Sequence, residues 1–115
     1  MSDFPPGSVW LCKTARTTAD GSIKVRPAVV ISNDSYNDKN EEVICLHLST
    51  DSHHQFAIPL DYKKDMEKCE LAEPSAIRYD IVARYSKHAL VKKFGTIRKE
   101  KLAHAIGKFI ELIKG

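Results

Sequence analysis

Arg78 and Asp80 stand two residues apart in the run Ala76-Ile77-Arg78-Tyr79-Asp80-Ile81-Val82-Ala83-Arg84-Tyr85. In extended chain, residues i and i+2 project from one face, so a guanidinium and a carboxylate would lie side by side. A carboxylate in that position titrates low, is ionised at neutral pH and accepts a proton as a weak base. The guanidinium keeps its proton to a pH above about 12, so it stabilises developing negative charge rather than donating a proton. The same spacing also describes an ordinary ion pair on a half-exposed strand, and the residues alone leave both readings open.

Arg26, directly before Pro27, reads as a residue entering a strand, and Ser49 and Thr50 read as a polar turn. His47, His53 and His54 have no metal-site spacing and read as solvated or hydrogen-bonded histidines. Cys12, Cys45 and Cys69 are odd in number and widely spaced, which suits buried thiols in a reducing compartment. No metal or other cofactor is expected.

The net charge of +3 is unevenly spread. Residues 1–74 hold 8 Lys/Arg against 12 Asp/Glu, whereas residues 75–115 hold 10 against 3. A basic second part favours a polyanion or an acidic partner segment. Lys24, Arg84, Lys92, Lys93 and Arg98 are the candidate cations for such a ligand, with Tyr36 as the candidate exposed aromatic; Trp10 and Tyr85 read as core aromatics.

At 115 residues, 43% apolar and 29% charged, the chain is expected to fold as one globular domain over residues 1–115, without repeats or low-complexity tracts. The N-terminal Met1-Ser2-Asp3-Phe4-Pro5-Pro6-Gly7 lacks the basic and apolar regions of a signal peptide, and no apolar run reaches a membrane span. A cytoplasmic location without membrane contact is expected.

The elements that must position these residues are mostly strands. Ser8-Val9-Trp10-Leu11-Cys12 reads as a first strand, and Thr14 to Lys24, with Asp20-Gly21, as a loop or flexible hairpin. Pro27 is expected at the first residues of a strand running through Ala28-Val29-Val30-Ile31. Asn33 to Asn40 is dense in turn formers. In Glu42 to Thr50, alternation places Ile44, Leu46 and Leu48 on one face and Cys45, His47 and Ser49 on the other. Phe56 to Leu60 is a short strand that Pro59 directs to a sheet edge, and Asp61 to Glu70 is a charged loop or short helical turn. From Ala76 to Tyr85, alternation puts Ile77, Tyr79, Ile81 and Tyr85 opposite Arg78, Asp80 and Arg84. Leu102, Ile106, Phe109, Ile110 and Ile113 recur at helical spacing, with Thr96 a candidate cap and Gly107 a candidate close-approach point. The resulting class is mainly β with a C-terminal α-helix, as a strongly bent sheet or partly closed barrel.

In order and spacing, Gly7-Ser8-Val9-Trp10, then Arg26-Pro27-Ala28-Val29-Val30-Ile31-Ser32-Asn33-Asp34, then an apolar strand ending in Ser49-Thr50, resemble the PemK/Kid and MazF family of bacterial toxin endoribonucleases. The likeness continues through Ser75 to Tyr85 and into the C-terminal helix. It implies a small SH3-like (PemK/MazF-type) barrel that forms a homodimer and cuts single-stranded RNA without a metal, leaving a 2′,3′-cyclic phosphate and a 5′-hydroxyl. It also implies a cognate antitoxin as partner.

The resemblance further implies site residues. Arg78 and Asp80 match the Arg and Asp of the PemK/Kid branch; Arg26 and Ser49, with Thr50 adjacent, match the Arg and the Thr or Ser of the MazF branch. The implied roles are Asp80 as base, Arg78 as phosphorane stabiliser, and Arg26, Ser49 and Thr50 as phosphate ligands. Two stretches depart from the family. Thr18 to Val25 contains no His where the PemK/Kid branch has one, and Ile81-Val82-Ala83 follows Asp80, with Arg84 one place later than the usual basic residue. A non-catalytic RNA- or protein-binding module on the same fold, and a toxin acting on a protein such as gyrase, are the alternatives.

Overall fold

The computed structural model describes residues 2–115. Strands β1 (Ser8–Thr17) and β2 (Ile23–Val30) form an antiparallel hairpin. Its turn holds Asp20, which accepts from Ser22 N at 3.0 Å, and Gly21 at φ +87°. The hairpin is longer than the sequence suggests, because Thr14 to Thr17 continue β1 as a polar, solvent-facing extension. Arg26 consequently sits inside β2, opposite Cys12, rather than at its entrance. Strand β3 (Glu42–Ser49) pairs with β2 only over Ala28 to Val30, so Pro27, which has no N–H to give, stands just outside that ladder.

The turn-rich stretch after β2 contains a short helix, α1 (Asp34–Lys39), because Asn33 is an effective cap: its side chain accepts from Tyr36 N at 2.9 Å. Asn37, fully buried, donates to the carbonyls of Phe4 and Ser32 at 2.8 Å each and clasps the N-terminal segment to the body. Strand β4 (Ala57–Pro59), helix α2 (Tyr62–Asp65) and strand β5 (Met66–Cys69) follow. Next come β6 (Ala76–Ser86), a 3₁₀ turn at Lys87–Ala89, β7 (Leu90–Ile97) and the terminal helix α3 (Lys99–Lys114).

The seven strands form one antiparallel sheet in the order β4-β6-β3-β2-β1-β7-β5. β4 is an edge strand, as Pro59 requires. Ile58 of β4 and Met66 of β5 nevertheless share a core with Val9, Val29, Leu46, Leu48, Ile77 and Leu102. The sheet therefore curls until both edges cover the same core without pairing, giving a barrel-like but unclosed fold. The opposite face carries a second core of Cys12, Ala28, Val30, Val43, Cys45, Tyr85 and Leu90, against which Trp10 and Phe4 pack. Burial on both faces explains the nearly unbroken apolar run of β3.

Leu102 and Ala105 of α3 are buried, whereas Ile110 and Ile113 stay exposed. Arg98, not Thr96, is the residue before the first helical turn, with no side-chain cap; Thr96 belongs to β7. Lys101 reaches Asp65 at 3.4 Å, and the Arg98 N–H donates to the Asp65 carbonyl at 2.7 Å, tying α3 to α2. Gly107 faces open space, so it serves no close approach. Gly95 does: a Cβ there would lie 1.8 Å from the Lys68 carbonyl oxygen of β5. Among the described residues, no helix is long and apolar enough to cross a membrane.

Candidate functional site

The site is built around an irregularity in β6. Its register with β3 runs Cys45↔Ala83 and Leu46↔Val82, then jumps to His47↔Arg78, Leu48↔Ile77 and Ser49↔Ala76. Tyr79, Asp80 and Ile81 are left without partners in β3. An odd insertion reverses the alternation of the strand beyond it. Ile77 therefore enters one core while Tyr85, of the same parity, enters the other. Uninterrupted alternation would have kept them together, and this is where the sequence expectation fails. Tyr79 turns towards the loop before β4, its N–H donating to the Phe56 carbonyl at 3.2 Å and its ring meeting that of Phe56 edge-on at 5.9 Å.

The bulge borders a cleft of about 320 Å³ lined by Arg26, Pro27, His47, Leu48, Ser49, Thr50, Ser75, Arg78 and Ile81. It adjoins a second hollow of about 600 Å³ lined by Thr14, Ala15, Arg16, Lys24, Arg26, His47, Ile81, Ala83 and Tyr85. Arg26, His47 and Ile81 border both. Arg26, Ser49, Thr50 and Arg78, which come from three strands and the residue after one, thus share one surface, with Lys24 beside it.

Asp80 meets that surface through Arg78. Arg78 Nε donates to Asp80 Oδ1 at 2.7 Å and Nη2 to Oδ2 at 2.8 Å. The hydrogen bonds from Arg78 hold the Asp80 carboxyl below the usual carboxylate range, and the same bonds raise the Arg78 pKa. Asp80 is therefore an anion whose two oxygens each accept from the guanidinium and fix its plane.

Two residues that sequence reasoning did not assign to the site belong to it. His47 Nε2 lies 2.6 Å from Tyr85 Oη, with the rings stacked at 5.8 Å. Burial, then the positive charges of Arg26 and Arg16, push the His47 pKa down; burial raises Tyr85 to about 12. The signal for His47 lay in the alternation of β3, which puts it on the face of Ser49. Tyr85 was hidden by the reversal in β6. Arg16 adds a further cation at the rim of the second hollow.

The remaining expected RNA contacts lie elsewhere. Arg84 pairs in register with Ile44, on the other face of the sheet, and bonds Glu42 at 3.1 Å. Lys92 lies over the Phe94 ring at 5.5 Å, and Lys93 lines a separate depression with Glu67, Lys68 and Glu70. Tyr36, on α1, and Arg98, at the start of α3, line neither hollow. The basic second part of the chain is thus spread over several surfaces rather than gathered at the cleft. Cys12, Cys45 and Cys69 are free thiols. Among the described residues, no group of three or more His, Cys, Asp or Glu side chains is arranged to hold a metal ion.

The chain belongs to the family described as PemK-like, MazF-like toxin of type II toxin-antitoxin system, whose model matches residues 5–113. Among solved structures, MazF from Deinococcus radiodurans superimposes with a TM-score of 0.72 at 17% identity, covering 100% of this chain and 99% of that one. An endoribonuclease from a mycobacterial species gives 0.74 at 15% identity, with 99% and 95% covered. A mycobacterial endoribonuclease in complex with its cognate antitoxin gives 0.67 at 15%, with 96% and 91% covered. At these identities the likeness is one of fold. No curated protein matches the chain.

Proposed function

We propose that this protein is the toxin of a toxin-antitoxin pair, a metal-independent endoribonuclease that cuts single-stranded RNA in the cytoplasm. In this reading it acts as a homodimer and is held inactive by a cognate antitoxin. The observation that carries the reading is the meeting of Arg26, Ser49, Thr50 and Arg78 in one open cleft, in a chain of a toxin family. Two guanidinium groups and two hydroxyls suit a phosphodiester, whose charge they bind and whose dianionic phosphorane they favour still more.

The 2′-hydroxyl of the ribose gives its proton to a base as its oxygen attacks the adjacent phosphorus and forms a new P–O bond. The P–O5′ bond breaks, leaving a 2′,3′-cyclic phosphate, and the departing 5′-oxygen takes a proton from water. Arg26 grips a non-bridging oxygen, with Ser49 and Thr50 donating to the same phosphate. Arg78, steadied by Asp80, faces the charge that builds during attack. Lys24 and Arg16 extend the cationic track for the neighbouring phosphate.

Purified protein incubated in EDTA with long single-stranded RNA is expected to release fragments ending in cyclic phosphate. Arg26→Ala and Arg78→Ala, still folded by circular dichroism, are expected to lose about 10²- to 10³-fold in rate. RNA left intact by the wild type overturns the proposal. Salt-sensitive binding without scission would identify a binding module instead.

A further inference from the structure

We infer that His47 is the base that takes the proton from the attacking 2′-hydroxyl, with Tyr85 as the residue that fixes its ring; this rests on the ribonuclease reading of the cleft. His47 lies on the cleft-facing side of β3, in register with Arg78 on one neighbouring strand and Ala28 on the other. It borders both hollows, where a phosphate held by Arg26 and Arg78 would bring its ribose.

The other titratable groups there are unsuited to the task. The cations of Arg16, Lys24, Arg26 and Arg78 have no lone pair to offer. Asp80 gives both oxygens to Arg78, and Tyr85 stays protonated up to about 12. Imidazole is the remaining group that can both accept and release a proton near neutrality.

Its surroundings set its charge, and the tautomer that serves as base is the one in which Nε2 carries the proton. Half-buried and flanked by Arg26 and Arg16, the ring is driven towards its neutral form. Asp80 does not offset this, because its charge is matched by Arg78. When Nε2–H donates to the Tyr85 phenol oxygen, Nδ1 carries the lone pair and is the atom left for the 2′-hydroxyl. The proton passes from O2′ to Nδ1 as the P–O2′ bond forms. The imidazolium then returns it to solvent, so His47 ends each turnover unchanged.

The test uses an RNA oligonucleotide spanning a site that the wild type cuts, and the same strand with a 2′-deoxy residue at the scissile position. The wild-type single-turnover rate is expected to fall as pH drops through a value below His47's unperturbed 6.5. His47→Gln is expected to cut about 10²- to 10⁴-fold more slowly, to lose that acid limb and to bind the deoxy strand as the wild type does. Tyr85→Phe keeps the ring but is expected to move the limb. Imidazole added to His47→Ala is expected to restore part of the rate. A folded His47→Gln with the wild-type rate and acid limb overturns the inference while the ribonuclease reading stands. A wild type that cuts nothing overturns both.

Discussion

Arg78 and Asp80 are joined by two parallel hydrogen bonds, at 2.7 Å and 2.8 Å, across the start of the unpaired stretch of β6. Such a fork fixes the plane of the guanidinium as well as its position. Asp80→Asn keeps the shape but loses one acceptor and the charge, so Arg78 loosens. It is expected to cut about tenfold more slowly, a smaller loss than the roughly 10²- to 10³-fold of Arg78→Ala. Arg78→Lys, which offers a point charge without the fork, should fall close to Arg78→Ala. Comparison of kcat/KM for the three variants checks the order; an Asp80→Asn as slow as Arg78→Ala would return the base's role to Asp80.

Stability should depend on pH in two windows. Asp80 titrates lower folded than unfolded, so its contribution is complete above its unfolded value of about 3.9 and is lost as pH falls through the folded one. His47 is also depressed by folding; stability falls as pH drops below about 6.5 until the folded ring protonates. In urea unfolding, the gap between wild type and Asp80→Asn should narrow on going from pH 5 to pH 2. His47→Gln should flatten the slope just below pH 6.5.

Cationic side chains at the cleft and away from it should separate in RNA binding. Arg16→Ala is expected to weaken binding of the deoxy oligonucleotide and to lower the salt slope by roughly one. Lys93→Ala and Arg98→Ala, which lie outside both hollows, are expected to leave affinity nearly unchanged. Fluorescence anisotropy at several salt concentrations measures both. Equal losses at Arg16 and Lys93 would mean that RNA follows a different path.

Gly95→Ala should damage the fold rather than the chemistry. Its Cβ would meet the Lys68 carbonyl carbon at 2.7 Å and the oxygen at 1.8 Å, and backbone cannot yield as a flexible side chain does. Strand β5 must then leave β7 and uncover Met66. A loss of about 3 kcal/mol is expected from the urea midpoint. Gly107→Ala, whose added methyl meets nothing, should stabilise α3 by roughly 0.5–1 kcal/mol.

Local pattern carried much of this structure. The β-branched and aromatic runs at Val9, Val29 and Leu46 mark strands because burial selects such residues there, and Pro59 marks an edge because it lacks a donor. The spacing of Leu102, Ile106 and Phe109 marks the helix. What stayed hidden depends on pairing. Thr14 to Thr17 are polar and become strand only through the hairpin that joins them to Ile23. Val91, Lys92 and Lys93 lack a clear alternation, and β7 exists because β1 and β5 flank it. Asn33 was legible as a turn former, yet it caps a helix. At the site, Arg26, Ser49 and Arg78 were reached through family likeness; Arg16 and Tyr85 needed the register between strands, which composition does not encode.

The three unpaired residues Tyr79, Asp80 and Ile81 couple the cleft to the protein's interior by count rather than by contact. Because the insertion is odd, it acts as a phase shift: everything from Val82 onward is read on the reverse side of the sheet. Deleting one residue there would make the step from Arg78 to Val82 odd, which plain alternation satisfies, so Tyr85 and Arg84 would keep their faces while the bulge beside the cleft would close. The same segment that holds Arg78 and Asp80 together thus carries the change of reading frame in β6.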